Sequence, residues 1–134
     1  MELTFVDTNV FVYALDPDEG SKHERARHVL RSHFDQLVIS TQVLLELASV
    51  CHRRMGVPRA DVDRIVREAA AIRTVPADRS LVLNATRISV DHDLSIWDAM
   101  VVAAAERADC SLLLSEDFTD GQQFGRTVVR NPFA

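Results

Sequence analysis

Four carboxylates, Asp7, Glu46, Asp98 and Asp117, stand where they could act on one substrate. Asp7 directly follows the short run Leu3-Thr4-Phe5-Val6, and Glu116-Asp117 directly follow Cys110-Ser111-Leu112-Leu113-Leu114-Ser115. Each run reads as a strand delivering an acid to its carboxyl end, the place where open α/β sheets bind ligands. Glu46 lies about two helical turns past a third strand, Leu37-Val38-Ile39-Ser40, and Asp98 opens an apolar helix. Carboxylates gathered at one sheet edge repel, and some stay protonated unless a cation offsets them. Hard divalent ions with oxygen ligands suit such a set, and Mg²⁺ keeps most of its waters while binding a few carboxylates and substrate phosphates. No Cys/His quartet suggests zinc. The reaction class implied is metal-assisted phosphodiester hydrolysis, in which the ion polarises a phosphoryl oxygen and lowers the pKa of an attacking water.

Three of the acids also have a plainer reading. Asp7 or Thr8 can cap the following helix. Glu46 sits at the edge of an apolar arc, with Gln42, Ser49 and Arg53, as solvated rim residues do. Asp98 can answer Ser95 in a capping box at a positive helix terminus, and one residue can fill both roles.

The elements that would position these acids alternate from end to end. After Val10–Leu15, Ser21-Lys22-His23-Glu24 has a capping-box pattern that predicts a helix to about Phe34, with Ala26, Val29, Leu30 and Phe34 inward. Thr41 can cap a helix from Gln42 to about Met55, ended by Gly56 and Pro58. Pro58 to Ile72 is amphipathic, Thr74-Val75-Pro76 is a marginal edge strand, and Asp78 or Ser80 opens a helix with Leu81, Val82, Ala85 and Ile88 inward. Asp91-His92-Asp93 is expected in the loop after it, as ordinary polar residues. His23, His28 and His33, spaced by five, do not share a helical face and are expected to face solvent. The helix from Ser95 through Ala105 is apolar nearly all round, so both flanks should be covered. Thr127-Val128-Val129 is a last short strand.

This order predicts an α/β fold in one domain over residues 1–134, with a mostly parallel central sheet of about five strands flanked by helices on both faces. At 134 residues the chain can bury a core without staples. No apolar run approaches the ~20 residues of a membrane span, and Met1-Glu2-Leu3 is not the basic start of a signal peptide. Cys51 and Cys110 are expected to be reduced, buried thiols in a cytoplasmic protein. A net charge of −5 argues against broad adhesion to nucleic acid, though not against a local basic patch. Of the 15 lysine and arginine residues only Lys22 is a lysine.

Val6-Asp7-Thr8-Asn9, then Glu46 within Leu44-Leu45-Glu46-Leu47, then Trp97-Asp98-Ala99, then Leu114-Ser115-Glu116-Asp117-Phe118 resemble, in order and over essentially the whole chain, the PIN-domain family, and within it the VapC-type toxins of toxin–antitoxin modules. The resemblance implies a ribonuclease that uses Mg²⁺ or Mn²⁺ and leaves 3′-hydroxyl and 5′-phosphate ends. It makes Asp7, Asp98 and Asp117 metal ligands, and has Glu46 bind a second ion or orient the water. Thr8, Asn9 and Ser115 would hold the carboxylates. It also implies a homodimer or a toxin–antitoxin hetero-oligomer, with a cognate antitoxin whose tail occupies the acidic cleft. Arg53, Arg54, Lys22, Arg25 and Arg27 are the cations that could meet RNA phosphates, each equally readable as surface charge. Whether Glu116 or Asp120 joins the site stays open.

Two other classes compete. A haloacid-dehalogenase-like phosphatase would carry a second acid at the place of Asn9, and a receiver-like domain would carry a lysine after a late strand; neither is present. A binding module that holds metal or RNA without cutting keeps the same acids and is separated by a cleavage assay.

Overall fold

Thr4–Val6 form the first strand, β1, buried at every position. The computed structural model describes residues 2–134; Met1, on which the reading of the chain's start partly rests, lies outside them. After β1 come helix α1 (Thr8–Leu15), α2 (Ser21–Ser32), strand β2 (Leu37–Ser40), helices α3 (Thr41–Arg53) and α4 (Arg59–Ala69), and strand β3 (Arg73–Val75). Helices α5 (Arg79–His92) and α6 (Ile96–Arg107) then lead to β4 (Leu112–Leu114), β5 (Gln123–Phe124) and β6 (Thr127–Arg130).

The sheet order is β3-β2-β1-β4-β6-β5. All neighbours run parallel except β5, which pairs antiparallel with β6. The chain therefore builds outward from β1 to β3, then crosses back and builds the other way from β4. Right-handed crossovers taken in opposite directions put α1 to α4 on one face and α5 and α6 on the other. The point of reversal lies between β1 and β4, and there the carboxyl ends of two strands open a crevice.

Strands buried on both faces explain the continuous apolar runs. Phe5, Val38, Ile39, Leu113 and Leu114 are inaccessible to solvent, and Ala99 to Ala105 of α6 are all buried against them. A second, smaller apolar cluster, Val12, Leu47, Cys51 and Val62, joins α1, α3 and α4.

Several local expectations are corrected. The sheet has six strands rather than about five, because Gly125 takes φ 58 and folds Gln123-Phe124 back on Thr127 as a hairpin too short to show periodicity. Helix α2 has no Ser21 cap. Its N-cap is Gly20, at φ 60 and ψ −118, which ends the preceding tight turn and starts the helix in one residue. The same helix stops at Ser32, where His33 closes it through its N–H to the Leu30 carbonyl (3.3 Å), and Phe34 turns outward at 76% exposure. Ser40, not Thr41, caps α3 through the Val43 N–H (3.3 Å), while Thr41 Oγ1 accepts from Ala77 N–H (3.0 Å). Asp91 and His92 belong to the last turn of α5, which ends on Asp93 in the left-handed region, and His92 packs edge-on against Phe124. Val82 is exposed, and His23 and His33 are half-buried with Nδ1 on backbone carbonyls.

Candidate active site

Asp7 is the N-cap of α1, so the turn from β1 into the helix fixes its carboxylate. Its own N–H continues the ladder by donating to the Leu114 carbonyl (3.0 Å), which ties the end of β1 to the end of β4. One carboxylate oxygen accepts from Thr8 N–H (2.8 Å) and the other from Ser115 Oγ (2.7 Å). Only 5% of the residue is exposed. Burial pushes this carboxyl from the ordinary 3.8 up to about 7, aided by the charges of Asp117 and Glu46 and opposed by its two hydrogen bonds.

The residues around Asp7 hold the other acids. Thr8 Oγ1 donates to Glu46 Oε1 (3.0 Å), and Gln42 Nε2 donates to the same oxygen (3.2 Å). Asn9 Nδ2 donates to Asp117 Oδ2 (3.1 Å) and to Ser115 Oγ (3.4 Å). Ser115, fully buried, also accepts from Asp117 N–H (3.1 Å), so one hydroxyl links the acids that follow the two central strands.

Asp98 approaches from the N-terminus of α6, where its N–H is capped by Ser95 Oγ (3.1 Å). Burial raises its pKa, and the nearby Asp117 charge raises it further. Gln42 Nε2 also reaches the Trp97 carbonyl (3.3 Å), tying the start of α3 to the start of α6. Asp98 thus serves both as a capped first-turn residue and as a neighbour of the acid group, though it does not line the cleft itself.

That cleft, of ≈ 200 Å³, is lined by Asp7, Thr8, Asn9, Glu46 and Asp117 at one end and by Val12, Tyr13, Val50, Arg54 and Glu116 beyond. Glu116 is held away from the acids. Its oxygens take Tyr13 Oη–H (2.6 Å) and Lys22 Nζ (3.3 Å), and Lys22 also lies 4.7 Å over the Tyr13 ring. This network was not legible in the sequence; the one signal was that Lys22 is the only lysine. Asp120 stands apart, accepting Asn131 N–H (2.8 Å) at the C-terminal turn. Of the predicted cations only Arg54 lines the cleft; Arg25 lines a separate hollow with Ser21, Lys22 and Phe133, and Arg53 and Arg27 are exposed outside it.

The donor set tests whether a metal fits. Asp7, Glu46 and Asp117 offer only oxygens, and a carboxylate buried as deeply as Asp7 beside two like charges is stabilised by a cation. Among the described residues no group of three Asp, Glu, His or Cys is gathered closely enough to cage an ion alone. The arrangement therefore fits a hard divalent ion that keeps waters and accepts substrate oxygens, and does not fit a closed structural site.

A family model for the PIN domain matches residues 4–119. No curated protein matches the chain. Among solved structures it is similar to the Mycobacterium tuberculosis VapC20, a sarcin–ricin loop cleaving toxin, at 23% identity and TM-score 0.72, covering 87% of this chain and 92% of that one. A toxin–antitoxin complex from Klebsiella pneumoniae (17% identity, TM-score 0.71) is covered to 97%, over 96% of this chain. The DNA-bound VapBC of Salmonella typhimurium (13%, 0.72) is covered to 99%, over 98% of this chain. At these identities the likeness is one of fold. No described helix is long and apolar enough to cross a membrane.

Proposed function

The chain belongs to the PIN-domain family, and from that premise we propose that it is a divalent-metal-dependent endoribonuclease, the toxin of a toxin–antitoxin pair. The observation that carries the reading is the buried Asp7 carboxylate at the sheet's point of reversal, joined through Ser115 to Asp117 and through Thr8 to Glu46.

Asp7, Asp98 and Asp117 would be the residues that hold Mg²⁺ or Mn²⁺. Glu46, oriented by Thr8 and Gln42, would accept a proton from an attacking water or hold a second ion. Ser115 and Asn9 keep the carboxylates in register. The ion, when bound, supplies polarisation of the phosphoryl oxygen and a more acidic water. The toxin–antitoxin complexes of similar fold support a cognate antitoxin, whose tail would fill the acidic cleft, and assembly with that antitoxin or with a second copy.

A module that binds ion and RNA without cutting is the second reading; it keeps the same acids and hydrogen bonds and is separated by a cleavage assay. Aspartate-based phosphoryl transfer has no support, because Lys22 is engaged by Glu116 rather than by Asp7. The deciding experiment is cleavage of a labelled structured RNA pool by the wild type and Asp7→Asn, each with Mg²⁺, Mn²⁺ or EDTA. Cleavage that needs both the ion and the carboxylate is expected. Ion binding by the wild type with no cleavage of any RNA would move the assignment to the binding module.

A further inference from the structure

The cleft has a second end that the acids leave unexplained. Its walls are two helix faces: Glu46, Val50 and Arg54 follow at i, i+4 and i+8 along α3, with Thr8 and Val12, and Asn9 and Tyr13, at i, i+4 along α1. At ~1.5 Å per residue, Arg54 stands roughly 12 Å along the helix axis from Glu46. Its backbone is fixed. Arg54 N–H donates to the Val50 carbonyl (2.9 Å), and Val57 N–H closes the turn behind it on the Cys51 carbonyl (3.0 Å). Among the described residues the Arg54 guanidinium makes no ion pair, whereas Lys22, the other cation beside the cleft, is tied to Glu116.

We propose that the groove between α1 and α3 is a track for a single RNA strand. The scissile phosphate lies at the acid end, a nucleoside rests against Val12 and Val50, and a phosphate further along the strand is held by Arg54. The inference rests on the nuclease reading above. The acid end repels a polyanion, so a strand entering it needs a fixed cation elsewhere to set its register. A guanidinium meets a phosphate with two parallel hydrogen bonds and keeps its charge at any physiological pH. Between the two charged ends Val12 and Val50 offer apolar contact to a nucleoside, while the polar groups of Tyr13 and Glu116 are taken up by each other and by Lys22, which suits a strand tracked by its backbone.

The test uses the full chain carrying Asp117→Asn, to prevent cleavage, and a short labelled single-stranded RNA titrated at several salt concentrations. Adding Arg54→Gln is expected to weaken binding about tenfold and to flatten the dependence of log Kd on log salt by ~0.7, the share of one phosphate contact on a single strand. Arg54→Lys should restore the slope, and Arg53→Gln should leave it unchanged. Replacing phosphates singly with uncharged methylphosphonates should reveal one position whose neutralisation weakens the parent and not the Arg54→Gln protein. An equal slope in parent and Arg54→Gln overturns the track and leaves the nuclease reading standing. Equal losses in Arg53→Gln and Arg54→Gln overturn it as well, since that is diffuse attraction. An unsubstituted chain that neither binds nor cleaves RNA overturns both.

Discussion

Asp7 carries the largest conflict between folding and chemistry in this molecule. Its carboxyl is buried beside two other acids, and its pKa lies near 7 in the folded chain against an ordinary 3.8. Because the folded state holds this proton more tightly, the stabilisation is fully present below about pH 4 and is lost as pH rises through about 7. At ~1.4 kcal/mol per pH unit of difference, the effect is worth roughly 4 kcal/mol between those limits. Urea unfolding in EDTA should therefore show stability falling from pH 5 to pH 8, and Asp7→Asn should remove that slope and be the more stable protein at pH 8. Coincident pH profiles for the two proteins would contradict the burial argument. The same proton must leave when an ion binds, so Mg²⁺ affinity should rise with pH up to and through about 7. Calorimetry in two buffers of different ionisation enthalpy would register the released proton, and equal heats in both would count against it.

At the scale of elements, the site is a set of helix starts and strand ends, and capping doubles as alignment. Asp7 starts α1, Ser40 starts α3, and Ser95 starts α6. Capping and chemistry are separable at the last of these. Ser95→Ala removes a cap and should cost about 1 kcal/mol in unfolding free energy while leaving measurable cleavage. Asp98→Asn keeps the Ser95 cap on its backbone N–H and should abolish cleavage with stability unchanged or raised, since burial and then the Asp117 charge already disfavour its ionised form. Thermal melts and turnover on both variants test this pair. An Asp98→Asn protein that unfolds early yet retains full activity per folded molecule would make the residue structural only. Glu116 shows an element placing an acid out of use: Tyr13 of α1 and Lys22 of α2 draw it outward, one residue from Asp117.

For the molecule as a whole, stability lies in the two central strands. Phe5 is wholly buried at the middle of β1, and Phe5→Ala should cost about 3–5 kcal/mol in chemical denaturation, taking the site with it because Asp7 is two residues on. Cys51 and Cys110 are free, buried thiols, and burial pushes Cys110 up to about 11. Both should resist thiol reagents in the folded protein and react at the rate of global opening; rapid labelling of either in native buffer would contradict the packing. Cys51→Ser should act only through the small cluster with Val12, Leu47 and Val62.

Much of this arrangement was determined by the sequence alone. Strand-length apolar runs, the 3.6 period of α3 and α4, the all-round apolar α6 and the placement of acids just past strands follow from local burial, which each residue's chemistry reports directly. The sites of α2 and α3 capping, the outward turn of Phe34 and the β5 hairpin are not legible in the sequence, because a single Gly conformation or one hydrogen bond decides them, and neither leaves a periodic trace. What only the tertiary structure decided is the company the acids keep. Asn9 and Asp117 are 108 residues apart in the chain and 3.1 Å apart in space, because β1 and β4 are parallel neighbours where the strand order reverses. Strand order depends on how whole faces pack against one another, and that choice sets Asp7 beside Ser115, Glu46 beside Thr8, and Arg54 in the wall of the same cleft.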